Sequence, residues 1–411
     1  MQHSVDPSVI FGENRTLGPG RRKLMLGALG VGVVATAASI VLGLAGDGQR
    51  FQRAWLVSLA FFLTLSLGSL FFVAINHVTR AGWSIVVRRQ AELFASLLPL
   101  LALLTLPVLV PLVLGSGELW IWNDHAWVEG HHHMHHKEGW LSMPFFVVRV
   151  AIYFAIWTRL ARSFLRNSLA QDADGARVHT GRNQRLSAPA LLLFALSVSF
   201  ASFDLLMSLD PLWFSTIYGV YIFAGATLGC FAVLILTSML LQRSGRLEHA
   251  ITTDHYHDLG KFMFAFVVFW AYIAFSQFML IWYGDLPEET RFFANRATGV
   301  WGDASYALLF GQFVVPFAGL LSRHVKRNKP ALAFWAVWIL VFHWLDMQWL
   351  VMPNELHEGV AQPALFHVLD VTCLLAVGGI WVAGYAWLAR ERSLVPERDP
   401  YLGESLAFKN V

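Results

Sequence analysis

Two carboxylates stand where apolar side chains would be expected. Asp204 and Asp346 each fall near the end of a long apolar segment, and each precedes a proline, Pro211 and Pro353, by seven residues. At the α-helical rise, that spacing puts each acid roughly 10 Å inside the helix end that the proline marks. A charged side chain at mid-bilayer costs about 2.5–3.5 kcal/mol, so such an acid faces a bundle interior or a wet cavity and takes a partner. The plainer alternative is an acid that only reaches the headgroup region. Two acids at matched spacing weigh against it.

Other polar groups share these apolar runs. Arg149 interrupts MPFFVVRVAIYFAIW and is the natural counter-ion for Asp204 or Asp346, because an unpaired guanidinium is hard to keep in lipid. His343 precedes Asp346 by three residues and so shares its helix face, and His367 and Asp370 repeat that spacing. Gln277 and Gln312 add neutral hydrogen-bonding groups. His257 and Asp258 sit in HYHDLG, where the acid either caps a helix or collects protons at a channel mouth. Imidazoles and carboxylates arrayed across a bundle are what a proton relay requires. Ion pairs that only fix helix packing would leave the same residues. Ser187, Ser197, Ser199, Ser202, Thr216 and Tyr218 fit either a proton wire or packing glue.

The elements that position these groups are membrane spans. A chain of 411 residues that is 56% hydrophobic and only 14% charged reads as an all-α polytopic membrane protein. Apolar runs cover about residues 24–46, 54–76, 91–114, 141–163, 186–207, 214–241, 260–283, 303–322, 331–351 and 364–389, which makes ten helices. The first run resembles a signal peptide with small residues at Ala35-Thr36-Ala37; its spanning length and the helices after it favour an uncleaved anchor. Helices five and nine run in the same direction, so a parallel repeat of two four-helix bundles is the simplest plan. The expected units are a tail at 1–23, a peripheral helix at 24–53, bundles at 54–212 and 213–353, a second peripheral helix at 354–389, and a tail at 390–411.

Basic residues orient the chain. Only Arg50, Arg53, Lys137, Arg291 and Arg296 fall on one side; apart from the intramembrane Arg149, the other lysines and arginines flank the side holding both termini. The positive-inside rule makes that side cytoplasmic. This distribution, with a net charge of only +3, is no nucleic-acid-binding stripe. Cys230 and Cys373 both lie in apolar runs, and without CxxC, CxxCH or a four-cysteine set the chain holds neither a thiolate iron–sulfur cluster nor a c-type haem. The run His131-His132-His133-Met134-His135-His136 can bind Zn, Cu or Ni opportunistically, but a defined site draws ligands from fixed elements. A solvated loop or partner contact is the expectation there.

Several long stretches carry a family resemblance: HHKEGWLSMPFFVVRVAIYFAIW, RLSAPALLLFALSVSFASFDLLMSLDPLWFSTIYGVYIF, HDLGKFMFAFVVFWAYIAFSQFMLIWYGDLPEE and the tail VPERDPYLGESLAFKN. From about Lys137 onward the chain resembles a polytopic membrane subunit of alternative complex III, a quinol:acceptor oxidoreductase, within the NrfD-type membrane subunits akin to those of polysulfide reductase. The resemblance implies the bacterial inner membrane, ten helices in two bundles, and a quinone pool as substrate source. Its implied partners are a sister NrfD-like subunit, an iron–sulfur protein and multihaem cytochrome c subunits that hold the redox cofactors. It also implies a scaffold and a proton half-channel in this chain, with quinone binding left open. The chain departs from the family pattern in its histidine-rich extension and in His343, where arginine would be expected. Two other classes remain: a secondary transporter, and a b-type cytochrome with His343 and His367 as axial ligands.

Overall fold

The computed structural model describes residues 14–46, 48–354 and 363–410, apart from the side chains of His133 and His135. Parts of the expected tail at 1–23 and of the 354–389 unit therefore lie outside the described residues, as do two imidazoles of the His131–His136 run. Among the described residues, ten helices are long and apolar enough to cross a membrane: α1 Gly20–Ala45, α2 Gly48–Val78, α3 Ile85–Val113, α4 Met143–Asp174, α5 Val178–Leu209, α6 Tyr218–Arg243, α7 Thr253–Gly284, α8 Gly299–Leu321, α9 Lys329–Val351 and α10 Val368–Leu388. The chain is an all-α polytopic membrane protein.

Packing follows from how the apolar surface is distributed. Over their most apolar stretches α2 is 89% buried and α6 83%, against 17% for α1, so the first two form the centre and the last lies outside. Both central helices are apolar all round, as a helix surrounded by other helices must be. They cross at Gly68, where a methyl group would sit 2.1 Å from the Ala226 carbonyl oxygen. Helix α2 packs on α3 and α5, and α4 closes that ring; α6 packs on α7 and α9, and α8 closes the second. These are the two four-helix bundles. Outside them α10 lies on α2 and carries α1 along a stripe of small buried residues, Gly32, Ala35, Ser39 and Gly43, with Ser39 Oγ donating to Thr372 Oγ1 at 2.8 Å.

Several boundaries differ from the hydropathy reading, each for a local reason. Helices α4, α5 and α7 run past their apolar stretches into polar sequence, because hydropathy marks the lipid-facing length while backbone hydrogen bonding continues through good helix formers. Helix α3 breaks into three pieces, with Pro99 and Pro107 in the first turns of the later two, where a missing N–H costs least, and Pro111 inside the last. The α-helical part of α5 ends at Leu205 and a 3₁₀ turn follows at Met207–Leu209, so Asp204 occupies the last turn rather than a site well inside the helix. Asp346 keeps its inner position, five residues before the end of α9. Helix α8 changes to a π-helical segment at Leu309–Val314, just before Pro316, which lacks the N–H that would bond the Gln312 carbonyl.

One end of the molecule brings the first and last described stretches of the chain together. The Leu394 N–H donates to the Arg15 carbonyl at 2.8 Å, and Arg15 pairs with Glu397. Arg88 and Arg89 of α3 both bond Glu92, then reach Asp399 of the C-terminal tail and Asp172 of α4 respectively. This buried network fastens the tail to the first bundle.

Candidate functional site

At the end opposite the termini, the first acid sits in a closed hydrogen-bond shell. Arg149 of α4 grips Asp204 with two parallel bonds, Nε to Oδ2 at 2.8 Å and Nη2 to Oδ1 at 2.9 Å. Tyr153, one turn along α4, donates to Oδ2 at 2.7 Å, and Trp140 Nε1 donates to Oδ1 at 3.0 Å. The guanidinium packs against the Trp140 and Phe145 rings, with centroids 4.1 and 4.3 Å away. Lys137 holds the histidine-rich loop onto the α5–α6 link by donating to the Pro211 carbonyl at 2.6 Å; burial lowers its pKa, and nearby Asp210 opposes the shift.

The second acid has a different environment. Asp346 is fully buried, accepts from the Tyr221 hydroxyl of α6, and accepts from Trp270 Nε1 of α7 at 3.2 Å. It pairs with no lysine, arginine or histidine among the described residues. His343 does not bond it. The imidazole Nε2 instead meets Thr64 Oγ1 of α2 at 2.8 Å, and its ring lies in a groove on α6 formed by Gly225 and Gly229. Any side chain at Gly225 would come within 3.1 Å of that ring, so the groove exists only because both positions lack a Cβ.

The remaining candidates lie apart. Asp370 pairs with Arg50 of α2 and bonds the His367 N–H at 2.7 Å, while His367 caps α10, so this histidine and acid form the start of that helix. Asp258 is at the terminal end, bonded to Lys261 and to Asn410 of the tail, with His257 beside it. The cap of α7 is Thr252 with His255, so the reading of Asp258 as the cap is corrected. No direct hydrogen bond joins the Asp204, Asp346, Asp370 and Asp258 groups to one another among the described residues. Ser187, Ser199 and Ser202 bond carbonyls of their own helix, and Ser197 accepts from Trp157 Nε1 while bonding the Phe194 carbonyl. That is the behaviour of packing residues. A void of about 30 Å³ lies between Thr64 and Ser202. No cluster of three His, Cys, Asp or Glu side chains suited to a metal occurs among the described residues.

Sequence reading missed Tyr221, Trp270, Tyr153 and Trp140 as carboxylate donors. For Tyr153, Tyr221 and Trp270 the only sequence signal, an aromatic in an apolar run, is shared by many packing residues, and Trp140 lies in the polar stretch before the fourth run. It also missed a cavity of about 780 Å³ between α7 and α8, roofed by the helix Pro287–Ala294. Tyr221 and Trp270 form part of its wall, so the hydroxyl and indole that bond Asp346 belong to residues that line it. Gln277 also lines it, is 6% exposed, and has no hydrogen-bond partner among the described residues. Arg296 borders it too, donating to the Trp349, Phe292 and Leu350 carbonyls and Asn354 Oδ1; burial lowers its pKa to about 9, which leaves it a cation at neutral pH. No protein-family model matches the chain, and no curated protein matches it significantly.

Proposed function

We propose that this chain is an integral membrane subunit of a quinol:acceptor oxidoreductase of the alternative complex III type, acting as scaffold and as a proton-conducting element. The observation that carries this reading is Asp346, a carboxyl inside the bundle whose partners are a hydroxyl and an indole and not a cation. Adding or removing its proton strands no counter-charge, so it is a group that a proton can visit. Asp204 lacks that freedom, because protonating it would leave the Arg149 guanidinium buried without an anion. His343 bonds Thr64, which with Ser202 lines the small, mainly apolar void between α2 and α5. In this reading Asp346, Tyr221 and His343 are the proton stations, while Arg149, Asp204, His367 and Asp370 hold the fold. His257 and Asp258 mark the entrance at the terminal end.

The distribution of basic residues supports both termini facing the cytoplasm of a bacterial inner membrane. Electron-transfer cofactors belong to partners: haem c and iron–sulfur clusters in soluble-side subunits, with quinol from the membrane pool. The b-type cytochrome reading draws no support from the geometry, since the His343 ring is packed against Gly225 and Gly229 of α6 while His367 caps α10. Mild-detergent purification of the tagged full chain tests the proposal. It expects co-purification of subunits with c-type haem absorption and iron–sulfur signals, together with quinol oxidation slowed by Asp346→Asn. A chain that purifies alone and transports a solute would overturn it.

A further inference from the structure

The α4–α5 hairpin carries a row of cations that the fold leaves unused. Arg159, Arg162 and Arg166 of α4 and Arg182 and Arg185 of α5 are all exposed, and none of them bonds a protein group among the described residues. The acids at this end are already engaged: Asp172 holds Arg89 and accepts from the Glu397 N–H, Asp174 bonds His179, Asp399 holds Arg88, and Glu397 pairs with Arg15. Dissolved ions serve an arginine in water. An arginine at membrane depth needs an anion that resides there.

Position along the helix gives that depth. Arg159, Arg162 and Arg166 follow the start of α4 at Met143 by 16, 19 and 23 residues, roughly 24, 28 and 34 Å at the α-helical rise. The hydrocarbon of a bilayer is about 30 Å thick, and about 40–45 Å with its headgroups, so the three straddle the phosphate layer of one leaflet. Arg185 lies at the level of Arg166, because Asn167 Nδ2 donates to Asn183 Oδ1 at 2.7 Å and fixes the register of the two helices. By helical spacing, the α4 arginines continue the side that exposes Val148 and Ile152, and Arg185 the side of α5 that exposes Leu192 and Leu196. The row therefore faces lipid. An acidic segment of a soluble partner fits less well, since Arg159 lies opposite the apolar stretch of α5, deeper than such a partner reaches.

We propose that the α4–α5 hairpin binds an anionic phospholipid, its phosphodiester held by Arg162, Arg166 and Arg185 and its acyl chains lying along Leu192 and Leu196. Guanidinium forks match phosphate oxygens in pairs, and Arg159 reaches the same layer by extending its stem along the helix. A choline lipid is the poorer ligand, because its own cation competes for the phosphate and cancels its charge. The lipid belongs to the leaflet at the end where the C-terminal tail docks, the cytoplasmic one in the orientation proposed above. The inference goes beyond the subunit reading and requires only that the chain spans a bilayer.

The test reconstitutes the full-length chain in vesicles of equal phosphatidylglycerol and phosphatidylcholine, extracts it in mild detergent, and counts retained phospholipid by native mass spectrometry. Wild type is expected to keep phosphatidylglycerol in about tenfold excess over phosphatidylcholine. The double variant Arg162→Gln/Arg166→Gln reduces that excess to about twofold or less with an unchanged melting temperature, since both side chains are exposed. Arg22→Gln/Lys23→Gln removes the same charge from exposed positions at the start of α1 and leaves the excess intact. Phosphatidylglycerol added back to delipidated chain raises the melting temperature of wild type and not of the hairpin variant. Equal retention of the two lipids by wild type would overturn the assignment and leave the row to an acidic protein segment. Equal losses in the two double variants would also overturn it, because diffuse charge and not a site would then select the lipid.

Discussion

Asp204 and Asp346 occupy matching helices of the two bundles, and each accepts one tyrosine hydroxyl and one tryptophan indole. They differ by one residue, Arg149. The guanidinium turns the first acid into half of a bidentate pair, held in the last turn of its helix and shielded by two rings. The second lies deeper in its helix, has no cation, and shares its donors with the wall of a large cavity. A buried pair locks geometry because neither partner can leave without stranding the other. A buried carboxyl held only by neutral donors strands no cation when it takes up a proton, and when it loses one only a hydroxyl and an indole stabilise the anion. The same residue type, in related positions, thus sits in an ion pair in one bundle and among neutral donors in the other.

Breaking the locked pair should give the largest effect. Arg149→Leu leaves Asp204 buried and unpaired, at a cost of about 3–5 kcal/mol, measured as loss of folded chain from membranes and of thermal stability. Combining it with Asp204→Leu should recover most of that loss, because no lone charge remains. If the double variant is as unstable as the single one, the pair is not what holds this end together. Arg149→Lys retains charge but loses the fork, and about 1–2 kcal/mol of stability should go with it in the same melting assay.

Asp346→Asn should reverse the pattern. Its stability should change by no more than about 1 kcal/mol, while proton-coupled turnover of the assembled complex falls at least about tenfold, equivalent to about 1.4 kcal/mol in the barrier. Normal turnover and proton stoichiometry in this variant would remove the distinction between the two acids. The mildest perturbation is Gly225→Ala, which presses a methyl group onto the His343 ring. It should cost about 1 kcal/mol in thermal stability, with a larger fractional loss of turnover than of folded protein if His343 is a proton station.

Much of this organisation is written in one dimension. Ten apolar runs, the asymmetry of basic residues around them and the placement of charges inside them follow from residue identity alone, because lipid penalises every polar group it meets. The conspicuous acids, Arg149 and His343 were all visible in that way. Their partners were not. Which acid receives Arg149, why His343 faces Thr64 and a glycine groove instead of the neighbouring Asp346, and how Tyr221 and Trp270 come to serve both a carboxyl and a cavity depend on contacts between helices far apart in sequence. Local spacing places residues on a helix face; only the packed bundle decides what that face meets, because side-chain partners are set by interhelical distances and rotations. The cavity is the extreme case, formed where the π-helical turn of α8, the α7 face and the Pro287–Ala294 roof enclose a space that no single segment encodes.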